Sequence, residues 1–456
     1  MKKINFIFLL SCFSFLLFAQ MKPSETYMKN YQQIMDRTSW WRNARFGMFI
    51  HFGAYAVPAR GEWVKSDEKL TTAQYQKYVE AFNPVDFDAK KWAKIAKAAG
   101  MKYAVLTAKH HDGFCMFDSK LTSYTISHYF HGRDLVREFL DAFRAEGIKV
   151  GLYYSLIDWH HPDYPNVGNH PQRGDTIYGK RHFNWDNYLK YMHGQVEELM
   201  KNYGKIDILW FDYSFDNYSG EKWGAKALVQ MIRKYQPDII LNNRLEVNQG
   251  TDTTSRVLGY GDFETPEQGI PDKGLIDRYG NPIPWETCLT MNNSWGYNTF
   301  DNQWKSPALI IQSLVNCVSK NGNLLLNVGP DARGVIPEPS VKILAAVGKW
   351  MDQNGASIYG CGASSLTKPE WGRYTQKGDT LFAHWMYPHL GPIDVQGLTG
   401  KVKGVYLLST GAELPSATSW WGNSEANHFF INVNTPVYQN FERPDLFDTV
   451  FMLELQ

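Results

Sequence analysis

Several absences narrow the reading of this chain before any motif is considered. It carries only five cysteines in 456 residues, and none of them sits in a CxxC pair. That removes the metal-ribbon and dithiol redox classes. Cys115, Cys288, Cys317 and Cys361 are widely spaced, so they are expected as buried free thiols rather than a disulfide framework. Charge of one sign is also missing: 47 Lys and Arg face 46 Asp and Glu, a net +1. Such a balance gives no electrostatic case for nucleic acid, an anionic membrane or a polyanionic substrate. Beyond the N-terminus no apolar run reaches the ~18 residues needed to span a bilayer. Neither HxH nor HExxH occurs, so the histidines lack zinc-hydrolase spacing, and no metal or other cofactor is expected.

The N-terminus does have a strong signature. MKKINFIFLLSCFSFLLFAQ opens with two lysines and continues as an apolar run to Ala19. This reads as a secretory signal peptide over residues 1–20, cleaved near Ala19 or Gln20. LLSC, ending at Cys12, allows a second reading as a lipoprotein signal, although the apolar stretch runs on past the cysteine. The expected mature protein is exported, to the periplasm or the medium.

From about residue 40 to 354, short apolar runs alternate with segments of helical period. The runs are 46–51, 103–108, 150–155, 206–212, 239–243 and 323–328. Continuous apolar strands between amphipathic helices predict a parallel sheet covered by helices, and at this length an irregular (β/α)8-like barrel. After residue 360 the runs 381–385, 402–408, 429–433 and 450–454 alternate and are broken by Gly, Pro and Asn, which predicts an all-β sandwich. The expected division is a barrel over 21–360 and a sandwich over 361–456. Residues 245–285 show little periodicity and read as a long functional loop.

In such a barrel the chemistry gathers where strands end. The predicted ends carry His51, the run KHHDGF (109–114), Tyr154, Asp212, and Arg244 after NN. Asp212 closes the apolar run IDILWFD, where an ionised acid needs partners to be stable. A strand-end aspartate commonly serves only to accept hydrogen bonds from the next turn. The polar rim of neighbouring strand ends shifts the balance toward a reactive group. His51, His110 and His111 could ligate a metal, or serve as neutral imidazoles that both donate to and accept from sugar hydroxyls; their spacing favours the second. Glu62-Trp63 follows a glycine in a loop, a weak signal for a carboxylate and an indole gripping a sugar. DFETPE (262–267) and WETC (285–288) supply further acids.

Taken in order, FGMFIHFG, KHHDGF, YYS, WFD, NNR, DFETPE, WETCLTMNNSWGY and NGNLLLNVGP resemble the α-L-fucosidases of glycoside hydrolase family 29. The resemblance runs from about residue 40 to 358. It implies an irregular barrel followed by a β-sandwich, and metal-free, retaining removal of terminal α-L-fucose from a fucosylated glycan or oligosaccharide. It also implies Asp212 as nucleophile and His51, Glu62, Trp63, His110, His111, Tyr154, Trp210 and Arg244 as fucose-binding residues. For the acid/base it implies Glu267, in a loop free to close over the leaving group, with Glu286 second and Glu264 third. Trp295 or Phe46 would form the recess for the C5 methyl. Two other classes stay open on sequence: a metal-dependent hydrolase on the same barrel, and a glycan-binding protein without activity.

Overall fold

The computed structural model describes residues 22–177, 181–215, 217–246, 259–389, 393–417, 427–431 and 443–456. The leader reading, with Cys12, lies outside them. Seven parallel strands form the main sheet: β1 (Phe46–Ile50), β2 (Tyr103–Lys109), β3 (Lys149–Ser155), β4 (Ile208–Asp212), β5 (Ile240–Leu241), β6 (Glu286–Thr290) and β7 (Asn323–Val328). Their order is β5-β4-β3-β2-β1-β7-β6. Every residue of these strands except Lys149 is buried, as expected when helices cover a parallel sheet.

Helices return the chain between strands, and their starts are written in the sequence. Asp88, Asp134, Asn184 and Ser306 each accept a backbone N–H at the first turn of the helices Ala89–Ala98, Leu135–Ala145, Trp185–Asn202 and Pro307–Val318. Replacing such a cap by Ala costs about 1 kcal/mol. Trp92, Ala93 and Ala96 turn inward from the first of these helices, while its lysines face water.

β6 was not expected as a strand, and its neighbour DFETPE was expected as a loop. Both belong to the barrel wall. Residues 262–268 run between β5 and β6, with parallel bridges pairing Asn242 with Phe263, Glu264 with Trp285 and Glu267 with Cys288. Backbone bonds from Asp262 N to Leu241 O (2.6 Å), Glu286 N to Glu264 O (2.9 Å) and Cys288 N to Pro266 O (3.1 Å) stitch the seam. Asp262 anchors its start, accepting from Arg37, Arg233 and the Leu241 N–H. The circle is thus closed by a polar segment that makes isolated bridges rather than a full ladder.

Two antiparallel sheets follow. One holds Gly362–Ala363, Gly372–Lys377, Thr380–Trp385, Val402–Leu407, Ala412–Glu413 and Thr449–Leu455; the other holds Ile393–Gln396, Ser416–Ala417 and His428–Ile431. They enclose their own core, with Trp371, Leu381, Trp385, Val395, Ile431, Phe451 and Leu453 buried in it. The sandwich is tied to the barrel by Thr375, whose hydroxyl donates to Ser357 O at 2.7 Å, and by Trp350, whose indole donates to Asp448 O at 2.9 Å. Cys115, Cys288, Cys317 and Cys361 are all buried free thiols. Among the described residues no helix is long and apolar enough to cross a membrane.

Candidate active site

The C-terminal ends of the strands surround a cavity of about 280 Å³. Its walls include Asp212, Glu267, His51, Trp63, His110, His111, Trp210, Arg244 and Trp295. That volume lies near the lower end of the ~300–1,000 Å³ range of ligand pockets and suits a single sugar ring.

Arg244 organises the charge. Its guanidinium donates to Asp212 Oδ1 from Nη1 at 2.7 Å and to Glu267 Oε2 from Nη2 at 2.8 Å. Nε binds Thr265 Oγ1 at 3.0 Å, and the group lies 4.5 Å from the centre of the Trp210 ring. Burial alone would lower the arginine's pKa, but the two carboxylates outweigh it and hold it above the ordinary value. Asp212 receives a second bond, from the Tyr153 hydroxyl to Oδ2 at 2.7 Å. Both carboxylates therefore share one guanidinium at one cavity. Immediately after Asp212, Tyr213 has φ +80°, a left-handed conformation uncommon outside glycine. The chain leaves β4 sharply there, and Tyr213 turns into the cavity wall beside Asn169, whose side-chain amide donates to its hydroxyl.

The three histidines are neutral, because burial holds His110 and His111 well below the ordinary value and His51 at about 4. The hydrogen-bond network assigns two tautomers. Asn327 Nδ2 donates to Trp295 O at 2.7 Å, so its amide oxygen is the atom 2.7 Å from His51 Nδ1, which must carry the proton. Ser155 donates to Ile157 O at 2.7 Å, so it accepts from His111 Nδ1, also at 2.7 Å. Each ring is left with Nε2 as a free acceptor. The His111 Nε2 stands 3.7 Å from Asp212 Oδ2. At the end of β2, buried Lys109 pairs with buried Asp158 at 3.1 Å. Burial pushes the Asp158 carboxyl up, but the Lys109 ammonium and neighbouring His161 and His160 override it and hold it at about 2.

Four expectations need correction. Tyr154 does not reach the cavity: its hydroxyl donates to Gln195 at 2.8 Å and its ring lies under Lys109. Residues alternate along a strand, and β3 pairs Tyr153 with Trp210 and Ser155 with Asp212, so Tyr153 is the inward tyrosine. Glu286 is sealed inside the barrel, bonded to Tyr103 and Trp210 and absent from the cavity wall. Burial raises its carboxyl to about 7, against the pull of those two donors. Phe46 belongs to the core under the helices, and Phe49 is the phenylalanine at the cavity. Glu62 is buried behind the wall, where it accepts the Gly296 N–H at 2.7 Å and so holds the loop carrying Trp295. Glu264 accepts from Asn243 Nδ2 at 2.6 Å. Phe49, Tyr153, Asn169, Tyr213 and Cys288 line the cavity without having been expected there. Among the described residues no group of three or more His, Cys, Asp or Glu stands where it could hold a metal ion.

A barrel whose mouth presents two carboxylates, neutral imidazoles and aromatic walls around a volume of one ring defines a carbohydrate-hydrolase architecture. Comparison with known proteins agrees. The family described as Alpha-L-fucosidase matches residues 14–356, and the chain belongs to that family. The human tissue alpha-L-fucosidase is 29% identical over 437 residues, 87% of this chain and 86% of that protein. The solved alpha-L-fucosidase isoenzyme 1 from Paenibacillus thiaminolyticus is 52% identical, covers 93% of this chain and 100% of its own, and superposes with a TM-score of 0.88. A GH29 alpha-L-fucosidase from Bacteroides thetaiotaomicron, solved as a trapped covalent intermediate with 2-fluoro-fucosyl fluoride, is 29% identical, covers 92% of this chain and 96% of its own, with a TM-score of 0.79.

Proposed function

We propose that this retaining α-L-fucosidase uses Asp212 as nucleophile and Glu267 as acid/base. The observation that carries the assignment is the shared guanidinium: Asp212 and Glu267 are the two carboxylates bonded to Arg244 at the cavity. Asp212 is the more enclosed, its side chain 12% exposed against 25% for Glu267, and it has a second donor in Tyr153. A nucleophile must be held still, whereas a proton donor must meet a leaving group at the mouth.

In the first step an Asp212 oxygen bonds to C1 of the fucosyl unit while the glycosidic C–O bond breaks. The departing oxygen takes the Glu267 proton. In the second step Glu267 draws a proton from water, the water oxygen bonds to C1, and the C1–Asp212 bond breaks to release α-L-fucose. The acid role requires the contact between Arg244 and Glu267 to loosen as substrate enters, leaving the guanidinium to Asp212. His51 and His111, each with a free Nε2, accept hydroxyl protons from the sugar. Phe49 and Trp295 give the C5 methyl an apolar recess.

Labelling with 2-fluoro-fucosyl fluoride, digestion and mass spectrometry test the nucleophile. The adduct is expected on the peptide containing Asp212, and an adduct on any other peptide sinks the assignment. The same reading places the natural substrate among fucosylated glycans or oligosaccharides. It also assigns catalysis to 21–360 and takes residues 1–20 as an export leader, which N-terminal sequencing of the mature protein would check.

A further inference from the structure

Glu286 opens β6, and none of its surface is exposed. Both its oxygens are engaged: Oε2 accepts the Tyr103 hydroxyl at 2.8 Å and Oε1 accepts the Trp210 indole N–H at 3.0 Å. Space for the Tyr103 ring is made by Gly47, where a methyl carbon would stand 2.4 Å from it. The two steps of hydrolysis leave this carboxyl without a task. What it holds is Trp210. The indole walls the cavity, lies against the Arg244 guanidinium at 4.5 Å, and stacks on the Tyr153 ring at 5.8 Å and 21°. Arg244 and Tyr153 are in turn the side chains hydrogen-bonded to Asp212. A tilt of Trp210 would therefore disturb both supports of the attacking oxygen.

We propose that Glu286 is a positioning residue of the hydrolysis, holding the Trp210 indole so that Arg244 and Tyr153 set the placement of Asp212. This rests on Asp212 and Glu267 carrying the chemistry. A misplacement near 1 Å at a reacting group can cost about a hundredfold. The test compares full-length E286A, E286Q, W210F and the double variant E286A/W210F by labelling rate with 2-fluoro-fucosyl fluoride, by kcat and KM, and by thermal melting.

E286A should label about a hundredfold more slowly while KM moves less than about threefold. E286Q, whose amide oxygen still accepts the indole N–H, should stay within about fivefold of the parent. On the W210F background, which lacks that N–H, E286A should cost less than about threefold. Labelling of E286A at the parent rate, or an undiminished loss on W210F, overturns the proposal. Should E286A fail to fold, E286Q decides: a loss near a hundredfold with the hydrogen bond kept overturns it equally. Azide acceleration of E286A would make Glu286 the acid/base, which defeats the Glu267 assignment and is read separately from the labelling rates.

Discussion

Two of the places where an imidazole is set against a carboxylate have opposite characters. At the barrel mouth His111 Nε2 stands 3.7 Å from Asp212 Oδ2, with its proton turned away toward Ser155. Where the sandwich meets the barrel, His384 Nδ1 lies 2.6 Å from Asp448 Oδ2, its Nε2 is 3.0 Å from Thr375 Oγ1, and neither residue has exposed surface. The second pair is closed: both ring nitrogens are used, and the backbone of Asp448 also takes the Trp350 indole. The first is open, with an acceptor lone pair and a carboxylate facing a cavity. Residue types alone would not separate the two. Unused hydrogen-bonding capacity beside a cavity marks the place where a ligand belongs, whereas a fully buried imidazole bonded at both nitrogens marks a structural joint.

Substitutions should keep the two apart. Asp212→Asn is expected to cut kcat on a nitrophenyl fucoside about a thousandfold or more while the melting temperature stays near the parent's. Retention of a tenth of the activity would break the contrast. Glu267→Ala should slow hydrolysis of fucosyl oligosaccharides by about 10²–10⁴-fold. On a nitrophenyl fucoside, whose leaving group departs without a proton, added azide should restore turnover of the Glu267 variant and yield the α-fucosyl azide, whereas rescue of an Asp212 variant should give the β-azide; product NMR tells them apart. In the sandwich joint, Asp448→Ala should lower stability by about 3–5 kcal/mol, the cost of leaving a buried partner alone, with kcat changed less than about threefold. Denaturant melts alongside activity assays check both halves of that statement.

The smallest effect concerns pH. The Glu286 carboxyl is raised from 4.5 to about 7 in the folded protein. Between those values the native state binds more protons than the unfolded chain, so this group's contribution falls as pH rises and levels off above about 7. Its size is on the order of 3 kcal/mol or less. Glu286→Gln cannot ionise. Its melting temperature relative to the parent should therefore improve between pH 5 and pH 8, and a constant difference would show that the carboxyl keeps the same protonation in both states.

Much of this architecture was legible because buried parallel strands must be continuously apolar. FGMFI, VLTA, LYYS and ILWFD could hardly be anything else, and they brought Asp212, His51 and the histidine pair to the same end of the barrel. The misreadings have specific causes. ETCLT carries two threonines and an acid, so its polar texture hid a strand whose Glu286 and Thr290 are satisfied inside the barrel. DFETPE looked like a loop because a proline and three acids disfavour a central strand, and only the two flanking strands show that it fills a gap. Tyr154 was chosen over Tyr153 because phase along β3 depends on its pairing with β4, which two adjacent identical residues cannot reveal. Asn169 and Tyr213 come from irregular backbone, and no periodicity announces them.

The closing segment has a consequence for how this enzyme would fail. Glu267 rides on a wall held by a few isolated bridges, while Asp212 ends a strand paired in register along β3. Warming or mild denaturant should loosen the first before the second. A molecule in that half-sprung condition would still form its covalent adduct from a fluoride, which departs unaided, yet leave ordinary fucosides uncut. The ratio of those two rates would then report the integrity of the joint well before any spectroscopic sign of melting.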